Sequence, residues 1–245
     1  MDPLLLAAVA VVGVLSGATA AVVGFGIGSL LTPLLAARLG TDVAIAAVAL
    51  PHLLATALRL WRHRAHVDRG VLATFGGPSA LGGLAGALAY ARLGDRGLGV
   101  VLGLLLLATA AMNALPALRR WRPGRGAARL LGVASGLFGG IAGNQGGLRA
   151  AALLPFALAP RAFLATGTAI ALVIDLARTP LYLVRAGAAL APHAPTIAVA
   201  TAACLAGTLL GERWLLAIPV ERFRRVVALV VALAGVLTLV RAVLA

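Results

Sequence analysis

Residues 132–156, GVASGLFGGIAGNQGGLRAAALLPF, are apolar except around the glycine-rich break GNQGG at residues 143–147. A shift of 119 residues along the chain superposes this break on a second one, GFGIG at residues 24–28, so that glycines fall on glycines. The apolar segments that contain the two breaks run over about 3–38 and 130–158. Each is too long for a single membrane crossing, which takes about 20 residues. The pattern predicts two copies of one folding unit, each beginning with a broken helix.

The composition indicates a membrane protein. Of 245 residues, 62% are hydrophobic and 11% are charged, and the mean hydropathy is +1.04. A soluble domain has about 25% charged residues, so this chain has too little polar surface for a soluble enzyme or a disordered tail. Twenty-one arginines and no lysine against seven acids give a formal charge of +14, but the scarcity of aromatic residues disfavours a nucleic-acid binder. The single cysteine, Cys204, excludes an intramolecular disulfide.

Eight apolar segments lead to the predicted fold class, an all-α polytopic membrane protein with two inverted repeats. Each repeat is a broken, re-entrant helix followed by three transmembrane helices, with repeat 1 at residues 1–118 and repeat 2 at residues 130–245. An arginine-rich cytoplasmic linker at residues 119–129 joins them. Paired broken helices in inverted repeats are typical of secondary transporters, whose substrate site lies at the breaks. The segments run over about 3–38, 43–61, 70–91, 97–118, 130–158, 162–184, 190–211 and 223–245.

The arginines outside these segments predict how the repeats lie in the membrane. If each broken segment enters and leaves on the same side, thirteen of these eighteen arginines share one face and five share the other. The positive-inside rule favours this arrangement, which gives six full crossings, two re-entrant hairpins, inverted copies and both termini outside. The arms 130–143 and 147–158 would each be about 20 Å of helix, enough for a half-span. In a less regular variant, residues 3–23 cross the membrane fully.

The backbone at the two breaks is predicted to bind substrate. Half-helices that begin just after Gly28 and Gly147 would direct free N–H groups and the positive ends of helix dipoles toward an anion. Glycine also lets the backbone approach a ligand closely, although tight helix packing is an alternative interpretation of the same glycines. The candidate substrate-binding residues at the breaks are Gly24, Gly26, Gly28, Ser29, Asn144, Gln145, Gly146 and Gly147.

Three arginines inside the apolar segments, Arg59, Arg149 and Arg178, complete the predicted site. Charges within a membrane are costly and indicate function. Asp175 precedes Arg178 by three residues, so the two can pair on one helix face, whereas the equivalent position in repeat 1 is Thr56. Three arginines against one acid leave a positive site that favours a small anion. The alternatives are a snorkelling Arg59 and a purely structural pair of Asp175 with Arg178.

Two titratable residues are candidates for coupling proton movement to transport. His52 lies seven residues before Arg59 on the same helix face and titrates near neutral pH, although a hydrogen-bonded packing role is the alternative. Asp175 is the second candidate. The chain has no nucleophile–base set, phosphate loop or dinucleotide fingerprint, so we expect neither an enzyme nor a cofactor, and no metal site. Faces for close helix packing are predicted at Gly82, Gly86, Gly207 and Gly211.

These residues resemble the TauE/SafE family of membrane anion transporters over most of the chain. The GNQGG break departs from the family pattern, so the chain is similar to a divergent subgroup. The resemblance rests on GVLSG at 13–17, GFGIGSLLTPLL at 24–35, the basic loop RLWRHRAHVDRGVL at 59–72, GVASGLFGGIAGNQGGLRAAALL at 132–154 and FLATGTAIALVIDLARTPLYL at 163–183.

The resemblance implies a multi-pass secondary transporter that exports or imports sulfite or an organosulfonate across the bacterial inner membrane. Three other functions stay open from the residues: an uncoupled anion channel or facilitator, a transporter of an organic carboxylate, and a non-transporting partner that keeps the fold. The expected partners are a small anionic substrate and the lipid bilayer, without nucleic acid. A homodimer is also compatible with the sequence.

Overall fold

The computed structural model describes residues 2–114, 124–144, 146–215 and 220–244. Throughout these residues the secondary structure is helical, without β-strands, as predicted. A π-helical turn at Leu72–Gly76 lies within α4. The helices are α1 (Pro3–Val23), α2 (Ile27–Leu39), α3 (Thr41–His63), α4 (Arg69–Tyr90), α5 (Asp95–Ala114), α6 (Arg125–Ala142), α7 (Gly146–Leu153), α8 (Pro160–Leu190), α9 (Ala194–Leu215) and α10 (Val220–Leu244).

The helices have the length and apolar surface that a membrane requires. In the described part of the chain, six helical stretches are long and apolar enough to cross a membrane. One of them, Pro160–Gly211, contains α8 and most of α9, and another is α1. Large apolar side chains, including Leu81, Leu130 and Val184, are exposed on the outer surface, where lipid would solvate them. The chain is therefore an all-α, multi-pass membrane protein, which confirms the all-α polytopic part of the predicted fold class.

The two broken helices have unequal arms. α6 has 18 residues and α7 has 8, which correspond to about 27 Å and about 12 Å rather than to two arms of about 20 Å. α1 has 21 residues, or about 31 Å, so its length suits the less regular variant in which it crosses fully. α6 begins at Arg125, inside the predicted linker 119–129, because the helical pattern continues through Arg129. The linker arginines Arg119, Arg120 and Arg122 lie outside the described residues.

Glycine-lined faces join the first helix of each repeat to the opposite repeat. α1 packs in parallel against α9, and α6 packs in parallel against α4. A Cβ at Gly86 would collide with the carbonyl oxygen of Leu137, and one at Gly207 would collide with that of Val14. The other two predicted glycines meet a neighbouring backbone equally closely. The predicted packing faces are confirmed, because helices whose backbones touch need residues without a side chain there.

Helices at equivalent positions of the two repeats run antiparallel where they meet. α3 crosses α8 with His52 opposite Asp175 and Arg59 opposite Thr168. The first turn of α5 meets the last turn of α10, so this pair is antiparallel as well. A two-fold axis in the membrane plane relates inverted copies and produces this geometry. On this basis we propose the inverted repeat that the arginine distribution predicts, with the crossing of α3 and α8 at its centre.

Candidate anion-binding site

Both helix breaks are reversals that glycine adopts without strain. Gly24 ends α1 with φ 83°, and Gly143 ends α6 with φ 69°. These values lie in the left-handed region, where a Cβ is disfavoured. Gly26 takes φ 143° immediately before α2. Gly24 and Gly143 occupy equivalent positions in the two repeats, and each ends the first arm of its broken helix.

The second arms start earlier than the sequence predicted. α2 begins at Ile27 and α7 at Gly146, so the expected starts just after Gly28 and Gly147 are wrong by two residues. The reason is that the helical hydrogen bonds of α2 already begin at the carbonyl that precedes Ile27. Gly28 has a different role in the first turn of α2: a Cβ there would collide with the carbonyl oxygen of Gly143.

The two breaks contact each other directly. Ser29 on α2 donates a hydrogen bond from Oγ to Oδ1 of Asn144 at 3.0 Å, and both residues are buried. Gly146 permits the approach, because a Cβ there would collide with Phe25. Among the described residues, Nδ2 of Asn144 has no hydrogen-bond partner. The junction of the breaks thus keeps an amide donor free for a ligand.

Arg149 extends from α7 to the first break. Its Nη2 donates to the carbonyl oxygen of Gly24 at 2.9 Å, and the residue is 5% exposed. Its Nη1 has no partner within the described ranges. A cavity of about 20 Å³, lined in part by Gly24, Arg149 and Gly167, adjoins the side chain. This space holds about one water molecule, so it is too small for an oxyanion such as sulfite.

Arg59 on α3 is the second buried arginine with a free donor. It is 2% exposed, which excludes a snorkelling side chain. Its Nε donates to Oγ1 of Thr168 at 3.1 Å, and its Nη1 lacks a partner in the part of the chain that the structure describes. The charges of Arg149 and Asp175 both act on Arg59, and that of Asp175 also acts on Arg149. The two guanidinium groups therefore belong to one electrostatic cluster.

Protein groups occupy the donors of Arg178 instead. Its Nε donates to Oδ1 of Asp175 at 2.9 Å, and its Nη2 lies 2.8 Å from the same oxygen. Its Nη1 donates to the carbonyl oxygen of Gly139 at 3.0 Å. The other carboxylate oxygen of Asp175 lies 2.6 Å from Nδ1 of His52. The pair on one helix face that the spacing predicts is present, and its carboxylate also contacts His52.

The charges of this buried cluster do not balance. Asp175 pairs with Arg178, whereas neither Arg59 nor Arg149 forms an ion pair within the described residues. Unpaired charges are costly inside a membrane protein. Each of the two arginines also keeps a free N–H group, and guanidinium groups bind oxyanions through charge-assisted hydrogen bonds. The arrangement is suited to hold a small anion.

The structure brings most of the predicted site residues into this region. Gly26 packs against α1 and Gly147 against α5, so these two glycines make helix contacts, and Gln145 lies outside the described residues. Thr168 was not predicted, although the polar sequence TGT at 166–168 inside an apolar helix was a signal for it. The residues brought together at the breaks are Gly24, Gly28, Ser29, Arg59, Asn144, Gly146, Arg149 and Arg178.

Comparison with known proteins identifies the family. No curated protein and no solved structure gives a significant match to the chain. A family model described as sulfite exporter TauE/SafE matches residues 9–238, which include both broken helices and nearly the whole chain. Together with the apolar helices, this match shows that the chain belongs to the sulfite exporter TauE/SafE family, whose members are membrane transporters and not enzymes.

Proposed function

We propose that the chain is a secondary transporter that moves a small sulfur-containing anion, with sulfite as the first candidate, across the bacterial inner membrane. One observation carries the proposal: Arg59 and Arg149 are buried, have no acidic partner among the described residues, and each keeps a free N–H group. Membership of the sulfite exporter family supports the class of substrate. Ser29 and Asn144 complete the proposed binding surface, and the free Nδ2 of Asn144 is its neutral donor.

The charge balance favours a doubly negative substrate. With His52 neutral, the three arginines of this buried cluster and Asp175 leave two positive charges without a counter-ion among the described residues. Sulfite as a dianion would balance both charges. A singly charged organic carboxylate would leave one buried charge unbalanced, which is costly at this depth. The same cluster therefore supports sulfite over the carboxylate alternative.

We also propose that His52 and Asp175 carry a coupling proton. Nδ1 of His52 lies 2.6 Å from Asp175 and 3.4 Å from the hydroxyl of Thr56. The charged groups that act on this histidine are Asp175, Arg178 and Arg59. A proton that His52 gains adds positive charge beside the anion and strengthens its binding, while loss of that proton weakens it. This sign of coupling moves the proton and the anion in the same direction.

Sulfite flux in proteoliposomes tests the anion site. We expect the intact protein to transport sulfite and Arg149→Gln to lower the rate about 100-fold, which corresponds to the loss of a charge-assisted hydrogen bond. Arg161→Gln removes an exposed arginine at the start of α8 and is the matched control, which should transport normally. An unchanged rate in Arg149→Gln, or an equal loss in both variants, would contradict the site.

A pH gradient distinguishes the coupled transporter from an uncoupled channel. We expect an inward proton gradient to accelerate sulfite uptake in the intact protein, and His52→Gln to lose this acceleration while it retains downhill flux. Equal rates with and without the gradient in the intact protein would instead support the uncoupled facilitator. Acetate uptake that competes with sulfite on equal terms would support the carboxylate alternative.

A further inference from the structure

An apolar groove opens on the outer surface between α1, α2 and α10. Its volume is about 560 Å³. Leucines of α1 and α2 form one wall, among them Leu15, Leu30 and Leu34, while Val230 and Leu237 of α10 belong to the other. Leu15 and Leu237 are each 54% exposed. In a chain that crosses the membrane, this groove faces lipid and not water.

Two hydroxyl groups along the groove, those of Thr19 and Thr238, are already satisfied within their own helices. Oγ1 of Thr19 donates to the carbonyl oxygen of Leu15 at 2.7 Å. Oγ1 of Thr238 donates to the carbonyl oxygen of Ala234, also at 2.7 Å. The walls therefore offer little to a polar ligand, and their chemistry fits a hydrocarbon chain.

One end of the groove is positively charged. Arg96 in the first turn of α5 and Arg241 in the last turn of α10 both line it and are exposed. Arg96 uses Nη2 to donate to the carbonyl oxygen of Val243 at 3.2 Å, so most of its guanidinium surface is available. Among the described residues, Asp95 is the acid that lines the groove, and Asp42 lies beside it. Oδ1 of Asp95 accepts hydrogen bonds from backbone N–H groups at the start of α3. Its negative charge is thus directed to that helix N-terminus.

We propose that this groove binds an anionic phospholipid, with one acyl chain along α10 and the phosphate between Arg96 and Arg241. The groove follows α10 from Val226 to Ala242, about 24 Å of helix, and one leaflet contributes about 15 Å of hydrocarbon. An acyl chain therefore fits along its length. The arginine pair at the end provides the charge that recognises an anionic headgroup. The predicted topology puts both arginines on the outer face of the membrane, so the lipid belongs to the outer leaflet.

Lipid binding to the purified full-length protein, measured by native mass spectrometry, tests this proposal. We expect phosphatidylglycerol to bind at least about 5-fold more tightly than phosphatidylcholine, and the double variant Arg96→Gln/Arg241→Gln to bind phosphatidylglycerol about 30-fold more weakly. The double variant Arg92→Gln/Arg185→Gln removes two exposed arginines outside the groove. It is the matched control and should bind normally.

Further measurements distinguish recognition of the headgroup from binding of the acyl chain, and a bound lipid from a bound protein. Ala234→Trp fills the apolar wall and should weaken both lipids, while soluble glycerol phosphate should not displace phosphatidylglycerol. The double variant Arg96→Lys/Arg241→Lys keeps both positive charges and should retain most of the preference for phosphatidylglycerol. It shows whether weaker binding in the glutamine variant comes from lost charge or from a failure to fold. The proposal would be overturned if the control pair lost as much phosphatidylglycerol binding as the groove pair, or if glycerol phosphate displaced the lipid. It would also be overturned if the protein formed a dimer that the groove variants dissociate in the absence of lipid.

Discussion

Arg59 and Arg178 occupy equivalent positions of the two repeats, 119 residues apart, but their surroundings differ. Arg178 has Asp175 three residues earlier and donates to that carboxylate and to the carbonyl oxygen of Gly139. Arg59 has Thr56 at the corresponding position, and within the described residues its Nη1 has no partner. The two repeats thus differ at one position, which is aspartate in repeat 2 and threonine in repeat 1. Arg178 is therefore neutralised, whereas Arg59 has no ion pair within the described residues.

Because of this difference, we expect Arg178 and Arg59 to have different roles although they occupy equivalent positions in the sequence. Arg178 fixes the second break, because it lies against Gly143, where a Cβ would come within 2.7 Å of Nη1. Arg59 forms no ion pair within the described residues, and the charges of both Arg149 and Asp175 act on it. At this pair of positions, Arg178 therefore holds the junction of the second break, whereas Arg59 provides positive charge to the proposed anion site. Substitutions at these positions should affect stability in one repeat and anion binding in the other.

The largest effect is expected from a substitution of Asp175, the residue that neutralises Arg178. Asp175→Asn leaves Arg178 buried without a counter-ion, and breaking such a pair lowers the free energy of unfolding by about 3–5 kcal/mol. Thermal denaturation in detergent measures the change. Asp2→Asn is the control, because its contact with Arg38 is long, at 3.9 Å, and solvent-exposed, and asparagine caps a helix as well as aspartate does. Equal melting temperatures for the two variants would contradict a structural role for Asp175.

Arg59→Gln should give the opposite pattern. Removal of an unpaired buried charge leaves the melting temperature unchanged or raises it, while sulfite binding weakens about 100-fold because a charge-assisted hydrogen bond is lost. The dependence of the melting temperature on sulfite concentration reports both quantities. Arg178→Gln is the internal comparison, since it should melt earlier even without sulfite. If the two arginine variants behave alike, the proposed division between the repeats is wrong.

Introducing an acid beside Arg59 should convert it into a copy of Arg178. Thr56 is fully buried and stands three residues before Arg59, so Thr56→Asp supplies a carboxylate at the spacing of Asp175 and Arg178. We expect sulfite to bind about tenfold more weakly, because the new carboxylate competes for the guanidinium. Thr56→Asn has nearly the same shape without the charge and should retain more of the affinity. Equal affinities in the two variants would show that charge on Arg59 does not control binding.

The sequence predicted the parts of this site that depend on spacing along one helix. The pairing of Asp175 with Arg178 follows from the three-residue interval, and Thr56 showed that repeat 1 has no acid at the equivalent position. Thr168 could not be predicted as a partner of Arg59, because their contact arises where α3 and α8 cross antiparallel. The starts of α2 and α7 were mispredicted by two residues. They depend on backbone hydrogen bonds and packing, which composition does not encode.

The smallest expected effect concerns that unpredicted contact. Thr168→Val keeps the shape of the side chain but removes the acceptor of Nε of Arg59, so a second donor of this arginine loses its partner. We expect sulfite affinity to fall about 3- to 10-fold, in line with one hydrogen bond of about 1 kcal/mol. Thr179→Val is a matched control on the same helix, because Oγ1 of Thr179 is buried and has no partner among the described residues, and it should be neutral or stabilising. In an Arg59→Gln background Thr168→Val should cost nothing further, since the two residues act through one contact. Additive losses in that double variant would mean that Thr168 contacts the anion itself and does not merely orient the guanidinium group.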